Sequence, residues 1–254
     1  MNKNGVVIWE GESPVDGSPI ALILTGLVNP SDNRKTGPML QTWILRTDIP
    51  PVEAIKSDLD SAICGSCVHK GTHVDGKRVG RGCYVNAGQA PTNVWASYAA
   101  GKYRHVSLEE VSELVAGRAV RLGAYGDPGM VPLSVLHALV DRASTSTGYT
   151  HQWRWIDSGY ADVCMASVDT EAERVQAREM GYRCFFVRPE NAPNPERAML
   201  CAADRDRNPL NCIDCGACAG TKNGTVRNAV DVYITAHGTG KKHVVDLTLT
   251  TPSV

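Results

Sequence analysis

At 254 residues, with 43% hydrophobic and 21% charged side chains, the chain can bury a full core as one domain without disulfide staples. Its 26 basic and 27 acidic residues nearly cancel, which removes any whole-chain argument for a nucleic-acid or membrane partner. No apolar run approaches the roughly 20 residues of a membrane span, and the opening MNKNGVVIWEG lacks the apolar core and cleavage site of a secretion signal, so a cytoplasmic setting is expected.

The first stretch reads as an antiparallel β unit, with strands over 6–11, 19–26 and 39–47 separated by the turn-rich ESPVDGS and NPSDNRKTGP. Such a layer would pack beside or cap a larger sheet. Val52, Ile55, Leu59 and Ile63 then recur at helical spacing and lead into a long glycine-rich, basic loop, CGSCVHKGTHVDGKRVGRGCYVNAG. A short helix over 92–100 follows, and Ser107 with Glu110 forms a capping box for a helix ending near Gly117.

From Val120 the chain alternates. Strands are expected over 120–126, 148–155, 161–168 and 182–189, with helices over 132–143 and 170–180 between them. Alternation of this kind implies βαβ units, a parallel sheet and right-handed crossovers. The expected fold is α/β: an incomplete (β/α) barrel or open parallel sheet with an N-terminal antiparallel β unit and cysteine-rich metal-binding loops. Two closing strands are expected over 230–238 and 242–250. The whole is one domain, divided into the β unit (1–49), the helix and first cysteine loop (50–105), the β/α core (106–200) and the second cysteine cluster with the closing strands (201–254).

Seven of the nine cysteines fall in two groups. Clustered thiols in a reducing compartment hold metal more often than they pair. Cys64 and Cys67 form a CxxC step, followed by Cys83 after a 15-residue gap. These three thiols suit an iron-sulfur cluster with one iron left open, or a zinc site completed by His69 or His73. Cys201, Cys212, Cys215 and Cys218 offer four thiols, and their CxxCxxC run fits a [4Fe-4S] cluster better than the paired knuckles of a zinc ribbon. Cys164 and Cys184, inside apolar runs, read as small buried hydrophobes.

Lys70, Lys77, Arg78 and Arg81 surround the first group. They would offset the charge of a thiolate centre, meet nucleic acid, or simply face solvent. His151 and Arg154 lie at an expected strand end, where parallel α/β folds place their ligands. Equally, Trp153 and Trp155 could pack on one face while His151 bonds to the backbone. Asp127 would receive a cofactor amino group or cap the turn after it.

The stretch RLGAYGDPGMVPLSVLHALV, with Gly126, Asp127 and Pro128 at its turn, resembles the strand-turn-helix of the radical S-adenosylmethionine superfamily. DVCMASVDTEAERVQAREMG is similar to that superfamily's Ser-x-Asp strand end, matched by Ser167 and Asp169, and Cys83-Tyr84 echoes its Cys-Tyr ending. The superfamily's CxxxCxxC spacing is absent. The chain also looks like small cysteine-rich phage-encoded proteins with the CxxC, GDP and YTHQWR landmarks, which would place it in a host cytosol. The resemblance implies S-adenosylmethionine at an open iron of the Cys64, Cys67 and Cys83 centre, with Asp127, Ser167, Arg154 and His151 as cofactor contacts. It also implies an auxiliary cluster on the C-terminal cysteines, an external electron donor, and a small-molecule or macromolecular substrate. The alternative is a non-catalytic module, stapled by zinc or a closed cluster, that binds protein or nucleic acid.

Overall fold

The computed structural model describes residues 3–221 and 230–244. Its first three strands, β1 (Gly5–Glu12), β2 (Pro19–Thr25) and β3 (Leu40–Arg46), pair antiparallel in sequence order. β2 reads PIALILT without alternation because both its faces are covered; Leu22, Ile23 and Leu24 are fully buried. Burial of each such side chain contributes about 1.5–3 kcal/mol.

The antiparallel unit does not cap a separate sheet. β3 is also the first strand of a parallel series, because the later β7 pairs with it parallel. Between them the chain forms α1 (Pro51–Lys56), α2 (Ser61–Cys64), the hairpin β4 (Thr72–Val74) and β5 (Lys77–Val79), α3 (Ala90–Ala99), β6 (Arg104–His105) and α4 (Leu108–Leu114). β7 (Ala119–Tyr125), α5 (Leu133–Val140), β8 (Thr145–Thr147), β9 (Tyr149–Thr150), β10 (Met165–Val168), α6 (Glu171–Glu179), β11 (Cys184–Arg188), β12 (Ala198–Leu200), α7 (Cys212–Cys215) and β13 (Asp231–Thr235) follow.

Strand order is β6-β1-β2-β3-β7-β8 in one sheet and β12-β13-β11-β10-β9 in the other, the second being parallel throughout. Gly148 is the step between the two. Its amide donates to Cys218 O at 3.3 Å and its carbonyl accepts from Met165 N at 2.9 Å. A Cβ at Gly148 would meet Cys164 Sγ at 3.0 Å and Leu122 Cβ at 3.1 Å, so the close approach requires glycine. Among the described residues β6 and β12 end the order unpaired with each other, leaving the fold an open α/β arrangement. One apolar cluster runs from Val6 to Tyr233, and Cys164 and Cys184 are fully buried in it, as expected.

The helical pattern over 52–63 breaks into α1 and α2. Arg78 Nε and Nη2 donate to Ile55 O at 2.9 and 2.7 Å, drawing that carbonyl out of the helix ladder, and Asp58 takes φ +58°. The strand expected over 148–155 stops at Thr150. His151 N donates to Asp127 Oδ2 and Gln152 N to Thr150 Oγ1, so neither amide is free for the ladder. The strand expected over 161–168 begins only at Met165, because Ser158–Asp162 form a 3-10 turn capped by Asp157. Residues 241–244 are helical where a strand was expected over 242–250, and 245–250 lie outside the described residues. The Ser107 cap holds as read, accepting from Glu110 N at 3.3 Å.

Candidate metal centres

The first thiol loop follows β3 and is tied together through its backbone. Cys64 ends α2, Cys67 N donates to Cys64 O at 3.1 Å, and Cys83 N donates to His69 O at 2.9 Å. The 15-residue gap between Cys67 and Cys83 is taken up largely by the β4-β5 hairpin, which returns the chain to its starting point. Arg78 locks that hairpin in place through Asp60 at 2.6 Å, Lys70 O at 2.6 Å and the Ile55 carbonyl. Lys70 donates to Ser61 Oγ, and Arg81 to the carbonyls of Cys83 and Val85. Three of the four basic groups of the loop are therefore engaged within the chain.

Burial, and then the negative charge of neighbouring thiols (Cys67 for Cys64, Cys83 for both) and of nearby carboxylates, raises the Cys64 and Cys67 thiols well above their ordinary range. Both thiols therefore stay protonated until a cation supplies compensating charge.

Behind this loop stands Gln152, fully buried. Its Nε2 donates to Cys64 O and to Asp127 Oδ2, each at 3.0 Å. Its Oε1 accepts from Ser66 N at 3.1 Å, Ser66 Oγ at 3.0 Å and Trp155 Nε1 at 3.2 Å. Gly65, φ +52°, makes this fit possible, since a Cβ there would lie 2.3 Å from Gln152 Oε1. Asp127 caps the turn after β7, with Oδ1 accepting from Gly129 N at 2.8 Å, and its Oδ2 holds His151 N at 2.8 Å.

His151 turns its side chain toward the loop. Its Nε2 lies 3.9 Å from Cys67 Sγ and 3.9 Å from Asp169 Oδ2, while His69 Nε2 lies 3.3 Å from Asp169 Oδ1. Burial lowers the affinity of His151 for a proton. Burial pushes Asp169 the other way, but the contacts with His69 and His151 outweigh it and hold the carboxyl below its usual range. His73, the other candidate fourth ligand, instead points Nε2 at Ile55 O, 3.2 Å away.

Arg154 pairs with Glu173 at 2.5 Å and covers the Trp153 ring at 4.1 Å. Ser167 is buried, and its carbonyl accepts from Trp153 Nε1 at 3.0 Å. Trp153 is fully buried whereas Trp155 is half exposed, so the two rings do not share a face.

The second group forms where β12 ends. Cys201 N donates to Tyr233 O at 2.7 Å, Cys212 N to Lys35 O at 3.0 Å, and Asn211 Oδ1 caps α7 by accepting from Asp214 N at 3.0 Å. Gly216 ends α7 in the left-handed conformation. Arg183 then fixes the next turn by donating to the carbonyls of Ala217 and Ala219, both at 2.9 Å. Cys201, Cys212, Cys215 and Cys218 thereby line one recess of about 330 Å³, part of it open to solvent. Burial pushes the Cys218 thiol up to about 12, with Tyr149 as its hydrogen-bond partner, and Cys212 up to about 11. Arg121, on β7, pulls Cys212 partly back and also donates to Tyr84 Oη at 2.6 Å, next to Cys83.

Gln152 had no role assigned from sequence; its only signal was a polar residue in the apolar-aromatic run THQWRW. The His69, His151 and Asp169 grouping was likewise missed, because its members come from three separate segments. No family model matches the chain, and comparison with curated proteins and with solved structures finds no match.

Proposed function

We propose that the protein is an iron-sulfur protein with two thiolate-bound centres on an incomplete (β/α) barrel. The observation that carries this reading is the convergence of Cys201, Cys212, Cys215 and Cys218 on one recess, although ten residues separate the first two. The CxxCxxC run of Cys212, Cys215 and Cys218 favours a cluster over zinc, whose ribbons bring two separate CxxC knuckles.

The finer reading is a radical S-adenosylmethionine-like enzyme of the cytosol, acting on a small-molecule or macromolecular substrate with an external electron donor. Its support is topological. The Cys64, Cys67 and Cys83 loop follows β3, the first strand of the parallel series, and Asp127 follows β7, the second. Bound S-adenosylmethionine would supply a 5′-deoxyadenosyl radical on one-electron reduction. Of the side chains expected to contact it, Asp127 and Arg154 are already paired within the chain. The rival, a zinc-stapled module with a basic nucleic-acid face, is weakened by the internal pairing of Lys70, Arg78 and Arg81.

Anaerobically purified protein is expected to be brown, with broad absorption near ~400 nm and matching iron and sulfide contents. A colourless preparation holding stoichiometric zinc would overturn the iron-sulfur reading. With clusters loaded and dithionite added, formation of 5′-deoxyadenosine from S-adenosylmethionine tests the enzyme reading, and its absence removes that reading while leaving the iron-sulfur protein intact.

A further inference from the structure

Two imidazoles and one carboxylate meet beside the first thiol loop without forming a hydrogen-bonded set. His69 is 8% exposed, and neither of its ring nitrogens has a hydrogen-bond partner, although Nε2 lies 3.3 Å from Asp169 Oδ1. A buried imidazole left in this state has only the nearby Asp169 carboxylate to offset its lost hydration. His151 stands edge-on to it, ring centroids 5.5 Å apart at 74°. One ligand atom from each of His69, His151 and Asp169 lies within 4.8 Å of the other two.

Each of the three is held from behind. The His69 carbonyl accepts from Cys83 N. The His151 amide is bound to Asp127, and the Asp169 amide donates to Glu173 Oε2 at 2.7 Å. Glu173 is in turn paired with Arg154. The backbone at each of the three residues is thus anchored by groups that do not themselves enter the site, which fixes where the three side chains start.

We infer that His69, His151 and Asp169 bind one divalent first-row transition ion, Fe²⁺ or Zn²⁺ in class, at a site distinct from both cysteine centres. Two neutral imidazoles and one carboxylate form a donor set that such ions take, with coordination positions left over. The ion would satisfy the unpartnered His69 nitrogen and neutralise the partly buried carboxylate of Asp169. Cys67 Sγ lies 3.9 Å from His151 Nε2.

The test is a Zn²⁺ titration of the full-length, reduced, metal-free protein under anaerobic conditions, following the imidazole nitrogens by ¹⁵N NMR. Once the thiols have taken up Zn²⁺, two of the seven histidines should move to metal-bound positions with one further equivalent, and His69→Gln and His151→Gln each identify one of them. Asp169→Asn should weaken the response at least about 100-fold, beyond what loss of an outer-layer partner costs. The double variant Cys64→Ser/Cys83→Ser should keep the response, since it removes two thiols and none of the three ligands. The inference is overturned if no imidazole responds in the wild-type chain, if other histidines respond instead, if Asp169→Asn binds as tightly, or if the response disappears with Cys64 and Cys83. Failure of the iron-sulfur reading shows separately, as missing iron and sulfide in protein purified anaerobically.

Discussion

The Gln152 side-chain amide donates to the Asp127 carboxylate across 3.0 Å and, from the same nitrogen, to the carbonyl of Cys64. One buried residue therefore ties the turn after β7 to the CxxC step. Gln152→Leu would remove these bonds and strand Asp127 Oδ2, Ser66 N and Cys64 O in part. At about 1–3 kcal/mol for an unsatisfied buried group, a loss of roughly 2–3 kcal/mol in urea unfolding is expected. Iron at the first centre should fall while the second keeps its own. Equal loss at both centres would contradict the local role.

Gly65→Ala tests the same junction from the other side. A Cβ at φ +52° aimed at Gln152 Oε1, 2.3 Å away, combines backbone strain with a clash. Stability should drop by more than ~1 kcal/mol, because the substitution is incompatible with the native conformation. Thermal unfolding checks this.

Asp231 is fully buried between Arg174, 2.7 Å away, and Arg178, 3.0 Å away, and it accepts from Cys184 N at 2.9 Å. Asp231→Ala leaves the buried Arg174 with only the exposed Glu171 as its anion and takes the acceptor from Cys184 N, a loss of about 3 kcal/mol. Asp231 opens β13, whose Tyr233 carbonyl holds Cys201. Chemical denaturation should therefore show the stability loss, and the second centre should lose metal first.

Cys201→Ser or Cys215→Ser should lower iron from about eight to about four per chain, at four irons per cluster. The signal that remains should belong to Cys64, Cys67 and Cys83.

In the metal-free protein, acid should destabilise the fold in two steps. His151 has its proton affinity lowered by burial from an ordinary value near 6.5, so the unfolded chain takes up that proton first and stability falls as pH drops below about 6.5. Asp169 is held below its ordinary 3.8, so its contribution is present above that value and lost as pH falls through its folded-state value. His151→Gln should abolish the first step in a series of melting curves and leave the second.

Much of this was legible in the sequence. The β/α series could be read from Val120 onward because helical spacing and apolar strands announce themselves locally, and the meeting of Cys201, Cys212, Cys215 and Cys218 at one recess because three of them lie within seven residues. The meeting of His69, His151 and Asp169 was not legible, since three separate chain segments bring them together and no local spacing encodes it. The end of β9 was hidden for a related reason. His151 and Gln152 have strand-like neighbours, but their amides are taken by the side chains of Asp127 and Thr150. Arg78 reads as a base that offsets a thiolate centre, meets nucleic acid or faces solvent, whereas its guanidinium is taken up by the Ile55 and Lys70 carbonyls and Asp60.

Gly148 gives the molecule a mechanical property beyond its packing role. Its amide is fastened to the carbonyl of Cys218, and four residues further on the chain reaches Gln152, which is fastened to the carbonyl of Cys64. Only Tyr149–Thr150 of this span is strand, so at about 3.3 Å per extended residue it is at most about 13 Å long. The two cysteine loops are therefore hydrogen-bonded to opposite ends of one short backbone segment.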